Sequence, residues 1–289
     1  VTSPDARTGR PLEVTLSNAR ADRVKQVRAL SGRSARQRHG QFLVEGPQGV
    51  REAVRFAASD VRDVYLTEAA ARRHPEIVAA AQAAGLWLHL GSDEVLEAMS
   101  ANSQGALAVV NARTFGAPPL AGPDHRPRLI AILANVRDPG NAGTVIRAAD
   151  AAGADQVLLA GDSVDPYNPK TVRSTAGSLF HLPVRAGLSL SEAIGQARAA
   201  GCTVLAADGA GPHDLDDLLD AAGTGPTPDL SRPTAWVFGN EAWGLSPADR
   251  SLCDAAVRVP LRGPAESLNL ATAAAVCLYA SSRAQRRVP

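Results

Sequence analysis

Three stretches of this sequence carry residue types that could do chemistry. Near the C-terminus, Ser267-Leu268-Asn269 leads into the small-residue run Leu270-Ala271-Thr272-Ala273-Ala274-Ala275. The pattern predicts a strand over 257–260, a polar loop over 262–266 and a helix from 269 to about 284. That arrangement puts a hydroxyl, an amide and free backbone N–H groups at one helix N-terminus, where a polar or anionic group can be held. The plainer alternative is that Ser267 or Asn269 is a helix cap. A second stretch, 135–147, holds Asp138-Pro139-Gly140-Asn141, a tight turn after a buried strand. Gly140 and Gly143 let another backbone come close. Arg147 either looks back toward that loop or pairs with Asp150 on the surface. In the third, 238–244, Gly239 and Gly244 bracket Glu241. Glycine at a strand end suits close approach of a ligand, and the alternative is a plain loop with Trp243 as a lid on the core. Each stretch sits where a strand ends, so all three can converge at the C-terminal edge of one parallel sheet.

The elements that must position them follow from periodicity. Val24, Val27 and Leu30 recur at helical spacing over 22–30. Strands are predicted at 41–44, 61–66, 86–90 and 106–110, and helices at 47–58, 75–84 and 92–99. This is a small α/β unit. Four prolines mark 116–127 as a linker. Beyond it, strands at 129–133, 156–159, 203–206, 234–238 and 257–260 alternate with helices at 140–152, 169–176 and 189–200, with a helical turn at 214–219. That alternation predicts a parallel sheet covered on both faces. The expected division is a frayed tail over 1–19, a first domain over 20–113, the linker over 114–127 and a second domain over 128–289.

Composition narrows the function. The chain has 289 residues, 45% of them hydrophobic, long enough for two domains. No apolar run approaches a membrane span and no basic-then-apolar leader opens the chain, so a cytoplasmic protein is expected. Cys202, Cys253 and Cys277 form no Cys-x-x-Cys pair and read as reduced core thiols; no metal is expected. Net charge is +1, but 20–38 holds seven Lys/Arg against one acid, Asp22. Arg23, Lys25, Arg28, Arg33, Arg36 and Arg38 are candidate contacts to a polyanion; a solvated helix face is the alternative. Gly140-x-x-Gly143 lacks the dinucleotide spacing, and there is no phosphate loop ending in Gly-Lys-Ser/Thr.

In this order and spacing, the three stretches resemble the motifs of the SpoU/TrmH family of RNA ribose 2′-O-methyltransferases, within the trefoil-knotted methyltransferase superfamily. The match covers roughly 129–284. Residues 20–110, with Gly40-Gln41-Phe42-Leu43-Val44-Glu45-Gly46, are similar to the substrate-binding domain that often precedes the catalytic one, a small α/β fold like that of some RNA-binding ribosomal proteins. The resemblance implies an α/β chain whose last strands and C-terminal helix are threaded into a deep knot. It implies S-adenosylmethionine bent in that knot and held by backbone after Ala206, at Gly239, and along 259–268, with Val259, Leu261 and Leu268 among the contacts. It implies a homodimer. The family role of Arg147 is at the reacting ribose; since a guanidinium is a very poor base, Arg147 is expected to orient the 2′-hydroxyl and a phosphate. Asn141 and Glu241 would shape the site and anchor RNA, and Ser267 and Asn269 would position the ribose or the donor. A two-domain layout points to 23S ribosomal RNA, with resistance to an antibiotic of the avilamycin type as one role. The rival functions are tRNA methylation and a catalytically idle RNA-binding protein.

Overall fold

The computed structural model describes residues 14–112, 126–225 and 228–287. Its first elements are β1 (Val14–Leu16), α1 (Asp22–Ala29), α2 (Arg33–His39), β2 (Gln41–Glu45), α3 (Pro47–Phe56), β3 (Val61–Leu66), α4 (Glu68–Arg73), α5 (Pro75–Ala83), β4 (Trp87–Gly91), α6 (Asp93–Met99) and β5 (Ala106–Asn111). There follow β6 (Leu129–Ala134), α7 (Pro139–Ala152), β7 (Gln156–Ala160), α8 (Pro169–Ser174), β8 (Val184–Leu188), α9 (Leu190–Ala199), β9 (Thr203–Ala207), β10 (His213–Asp214), α10 (Leu215–Asp220), β11 (Thr234–Phe238), α11 (Pro247–Ser251), β12 (Ala255–Arg258) and α12 (Leu270–Arg287).

Contacts divide the chain into two units, and the first takes in Tyr167–His181 as well as the N-terminal part. Its sheet has the order β1-β4-β3-β5-β2. Val24, Val27 and Leu30 bury the predicted helical stripe against Leu43, Tyr65, Leu96 and Met99. Val14–Leu16, expected in a frayed tail, instead pairs parallel with β4 as an edge strand; residues 1–13 and nearly all of the expected linker lie outside the described residues. The helix expected at 169–176 is present as α8, but it packs here, against β2. Phe42 stacks on Tyr167 with ring centroids 4.6 Å apart, and the Arg173 guanidinium pairs with the buried Glu45 carboxylate, which also accepts from the Ser100 hydroxyl. Local patterning had given this helix to the second domain because nothing in 167–181 itself records what covers it.

The second unit holds a seven-stranded sheet of order β10-β12-β9-β11-β6-β7-β8, parallel throughout. Alternation along β11 sends Ala235 and Val237 into a core shared with Ala193, Ile194 and Ala197 of α9. Trp236 is wholly buried and donates its indole N–H to the Ser281 hydroxyl of α12 at 2.9 Å, which satisfies both polar groups. The Gln285 amide donates to the Arg128 and Arg232 carbonyls at 2.8 and 3.1 Å, fixing the far end of α12 to the strand entries. The last strand spans Ala255–Arg258, two residues earlier than the expected 257–260, since Pro260 cannot donate to a ladder.

Candidate functional site

At the C-terminal edge of β6 the chain turns at Asn135, whose φ is 56°. Its side-chain oxygen accepts from the Asp162 N–H at 2.9 Å, and its carbonyl accepts from the Asn240 amide at 2.7 Å. Asp138 then caps α7 by accepting from the Asn141 N–H at 2.8 Å, with Pro139 in the first turn. The Glu241 carboxylate reaches this helix entry. It accepts from the N–H groups of Asp138 and Arg137 at 3.0 and 3.3 Å and from the Asn141 amide at 3.4 Å. A carboxylate beside free N–H groups at a helix start is favoured by the helix dipole. The Asn141 oxygen accepts in turn from the Asn269 amide at 3.1 Å, and the Asn269 oxygen caps α12 through the Ala271 N–H at 2.9 Å. One chain of hydrogen bonds, Glu241 to Asn141 to Asn269, therefore joins all three stretches. Asn269 is both the cap and a member of the cluster, so the two readings of that residue are not exclusive.

Beside this chain lies a cavity of about 470 Å³. Ala207, Asp208 and Gly209 after β9 line it, with Gly239 and Leu245 from the second stretch and Val259, Leu261, Ser267 and Leu268 from the loop before α12. Ala206, expected to contact the donor, is fully buried in β9 opposite Val237 and Ala256, and its neighbour Ala207 lines the cavity instead. Gly239 lines the cavity, and it carries a second constraint that its sequence did not show. A Cβ there would collide with the backbone of Gly244 and Leu245, which folds back over it. That fold-back is closed by Asn240 and Gly244, exchanging backbone hydrogen bonds of 3.0 and 2.9 Å. Asn240, Asp208 and Gly209 were missed by sequence reasoning. Asn240 was legible as an amide between two site residues; the other two follow a strand with no polar signature.

Arg147 does not line the cavity. It lies on the exposed face of α7, two helical turns (about 10 Å) along from Gly140. Among the described residues its guanidinium has no hydrogen-bond or ion-pair partner, so the surface pair with Asp150 is not formed. Trp243 is 57% exposed and is no lid on the core. In the first unit, Arg36 is buried and donates to the Leu30 and Ser31 carbonyls at 3.2 and 2.7 Å, so it is a structural residue rather than an RNA contact. Arg23, Lys25, Arg28, Arg33 and Arg38 are exposed, Lys25 pairing with Asp22 at 3.0 Å. Burial pushes the thiols of Cys202 and Cys277 up to about 12 and that of Cys253 to about 11. Among the described residues no His, Cys, Asp and Glu cluster could hold a metal, and no helix is long and apolar enough to cross a membrane.

Residues 128–279 match the model of the SpoU rRNA Methylase family, and residues 21–108 match the MRM3-like substrate binding domain. The chain belongs to the SpoU rRNA methylase family. The 23S rRNA (uridine(2479)-2′-O)-methyltransferase of Streptomyces viridochromogenes is 43% identical over 147 residues, an alignment spanning 50% of this chain and 49% of that one. The 23S rRNA (guanosine(2553)-2′-O)-methyltransferase RlmP of Bacillus subtilis is 30% identical over 271 residues, 91% of this chain and 97% of that one. The crystal structure of the SpoU methyltransferase AviRb from Streptomyces viridochromogenes in complex with the cofactor AdoMet superposes with a TM-score of 0.75 at 32% identity, covering 93% of this chain and 99% of that one.

Proposed function

We propose that this protein transfers a methyl group from S-adenosylmethionine to a ribose 2′-hydroxyl of 23S ribosomal RNA. The observation that carries this is the hydrogen-bond chain Glu241–Asn141–Asn269 running beside a cavity of about 470 Å³. The residues fit the donor. A cavity of this size takes a nucleoside-sized ligand, its walls combine glycines and alanines with apolar side chains such as Leu245 and Leu268, and Asp208, Glu241 and Glu266 bring carboxylates to a group that carries positive charge. Bound there, S-adenosylmethionine supplies a methyl already activated on a sulfonium. Gly239, Val259, Leu261 and Leu268 would hold it, with Ala207 in place of Ala206.

The remaining work falls to the chain's own residues. Glu241 holds Asn141 and the loop that enters α7, so the first stretch is set against the second. Ser267 presents a hydroxyl at the cavity wall, and Asn269 fixes the start of α12. Arg147, free and exposed, orients the 2′-hydroxyl and an adjoining phosphate through its planar fork. The first unit, through Arg23, Lys25, Arg28, Arg33 and Arg38, selects the RNA. The protein acts in the cytoplasm as a homodimer whose C-terminal segment forms the deep knot; Val276 and Tyr279, exposed on α12, support an interface there. Protection against an avilamycin-type antibiotic is the physiological role we favour. The test is incubation of purified protein with labelled S-adenosylmethionine and unmodified 23S rRNA, followed by nuclease digestion. Label in a 2′-O-methylnucleoside is expected; label on a base, or none, would overturn the reading.

A further inference from the structure

The ring of Trp243 is not core material, yet it is not loose. Arg137, on the loop after β6, holds its guanidinium carbon 5.4 Å from the ring centroid. Both residues are anchored through their main chains: the Arg137 N–H donates to Glu241 at 3.3 Å, and Trp243 lies inside the turn closed by Asn240 and Gly244. Trp243 also reaches the wall of the donor cavity. A single exposed aromatic is ordinary. This one is paired with a cation, fixed by two of the three site stretches, and placed at the cavity's edge. The other partner of Arg137 is Asp162 at 3.6 Å, with the two side chains 59% and 83% exposed. Such a pair contributes little, and an incoming anion can displace it.

We propose that Trp243 and Arg137 form a stacking platform for an unpaired base of the RNA, beside the ribose that is methylated, with Arg137 also taking the adjoining phosphate. This rests on the methylation reading above. A stacked A-form helix displays its 2′-hydroxyls all alike in the minor groove, so choosing one nucleotide calls for a loop or bulge whose bases are unstacked. Unstacked bases are received on aromatic rings and guanidinium planes, and stacking of this kind tolerates any base because each has a π-face. The structure offers such a surface at the edge of the cavity, built by residues whose backbones belong to the site.

The full chain with Trp87→Phe leaves Trp243 and the buried Trp236 as its fluorophores. Titration with single-stranded oligoadenylate should quench the emission in step with binding measured by filter retention. Adding Trp243→Phe should remove the quench while retaining most of the affinity. Trp243→Ala should weaken RNA binding by about fivefold to a hundredfold, the range set by one stacked base. Arg137→Ala should weaken it and flatten the salt dependence by about one phosphate contact. Donor affinity, measured by calorimetry with S-adenosylhomocysteine, should fall less in Trp243→Ala than RNA affinity does, because the ring only borders the cavity. Trp243→Ala that binds RNA like the parent overturns the platform. So does one whose donor affinity falls while RNA binding holds, which would make the ring a cover for the donor. Methyl transfer by the unaltered chain is scored separately, so a platform that fails in an active methyltransferase leaves the functional reading standing.

Discussion

Arg147 is exposed on α7, and the proposed reaction gives its guanidinium the ribose and an adjoining phosphate to hold. Arg147→Ala should leave stability and donor affinity near the parent's while single-turnover methyl transfer falls by about two orders of magnitude, since alignment of reactants alone can be worth several kcal/mol. Arg147→Lys should recover little, because a point charge cannot touch hydroxyl and phosphate at once. A loss below about tenfold at saturation would reduce Arg147 to an outer contact. Gly239 makes a sharper test of structure against inference. If its role were only to leave room for a ligand, alanine would be tolerated in the free protein. Because any Cβ meets the Gly244–Leu245 backbone, even Gly239→Ala should lower the melting temperature and the donor affinity together. Normal melting with lost donor binding would show that the ligand, not the fold-back, demands glycine. That distinction was not legible in the sequence, where both reasons select the same residue. Cys202 and Cys277 were legible as core thiols, while Cys253, read the same way, is only half-buried. Raised by burial from 9.0 to about 12, Cys202 and Cys277 should resist iodoacetamide at neutral pH in the folded protein. Their unfolded pKa lies lower, so their contribution is intact below pH 9.0 and is lost as pH rises toward about 12. Denaturant midpoints that are flat across that window would contradict it.

At the scale of elements, the helix start at Asn269 combines two duties that substitution can separate. Asn269→Ala removes the cap of α12 and should cost about 1 kcal/mol. Asn269→Asp keeps an acceptor for the Ala271 N–H, at a helix end that favours a carboxylate, but it cannot donate to the Asn141 oxygen. The aspartate variant should therefore melt near the parent and still transfer methyl at least about tenfold more slowly. An aspartate variant with full activity would make Asn269 a cap and nothing more. The strands and helices that place this cluster were largely readable from periodicity, because β6, β9 and β11 are apolar runs and α7 announces itself with Asp138-Pro139. The elements that were not readable lack that signal. In α2, Arg33–His39, the buried residue is Arg36, so no apolar stripe marks the helix. In β8, Val184–Leu188, Arg185 and Gly187 interrupt the alternation. The link from Glu241 to Asn141 joins residues 100 positions apart, which motif spacing can suggest but only packing can supply.

For the whole molecule, the decisive feature is that Tyr167–His181 is enclosed in the second domain's sequence yet packs with the first unit. Local pattern gave its helix correctly and its neighbours wrongly, since burial partners are a property of the three-dimensional fold. The consequence bears on any attempt to separate donor chemistry from RNA selection. A fragment of residues 126–289 keeps the parallel sheet, the Glu241–Asn141–Asn269 chain and the cavity. It loses Phe42 and Glu45, which cover this segment, and so exposes Val172, Leu179 and Phe180, now at most 9% accessible. Large contiguous apolar surface drives association. The unmodified fragment should aggregate, as light scattering would report. The same fragment carrying Val172→Ser, Leu179→Ser and Phe180→Ser should stay monodisperse, bind S-adenosylhomocysteine like the full chain and lose most of its affinity for rRNA. It should also lose most of the steep salt dependence, because the exposed arginines and lysine of 20–38 neutralise phosphates only in the full chain. A fragment that stays soluble without those three changes would show that the segment does not depend on the first unit. One that methylates full-length rRNA at the parent rate would show that the arginine-rich unit does not select the substrate.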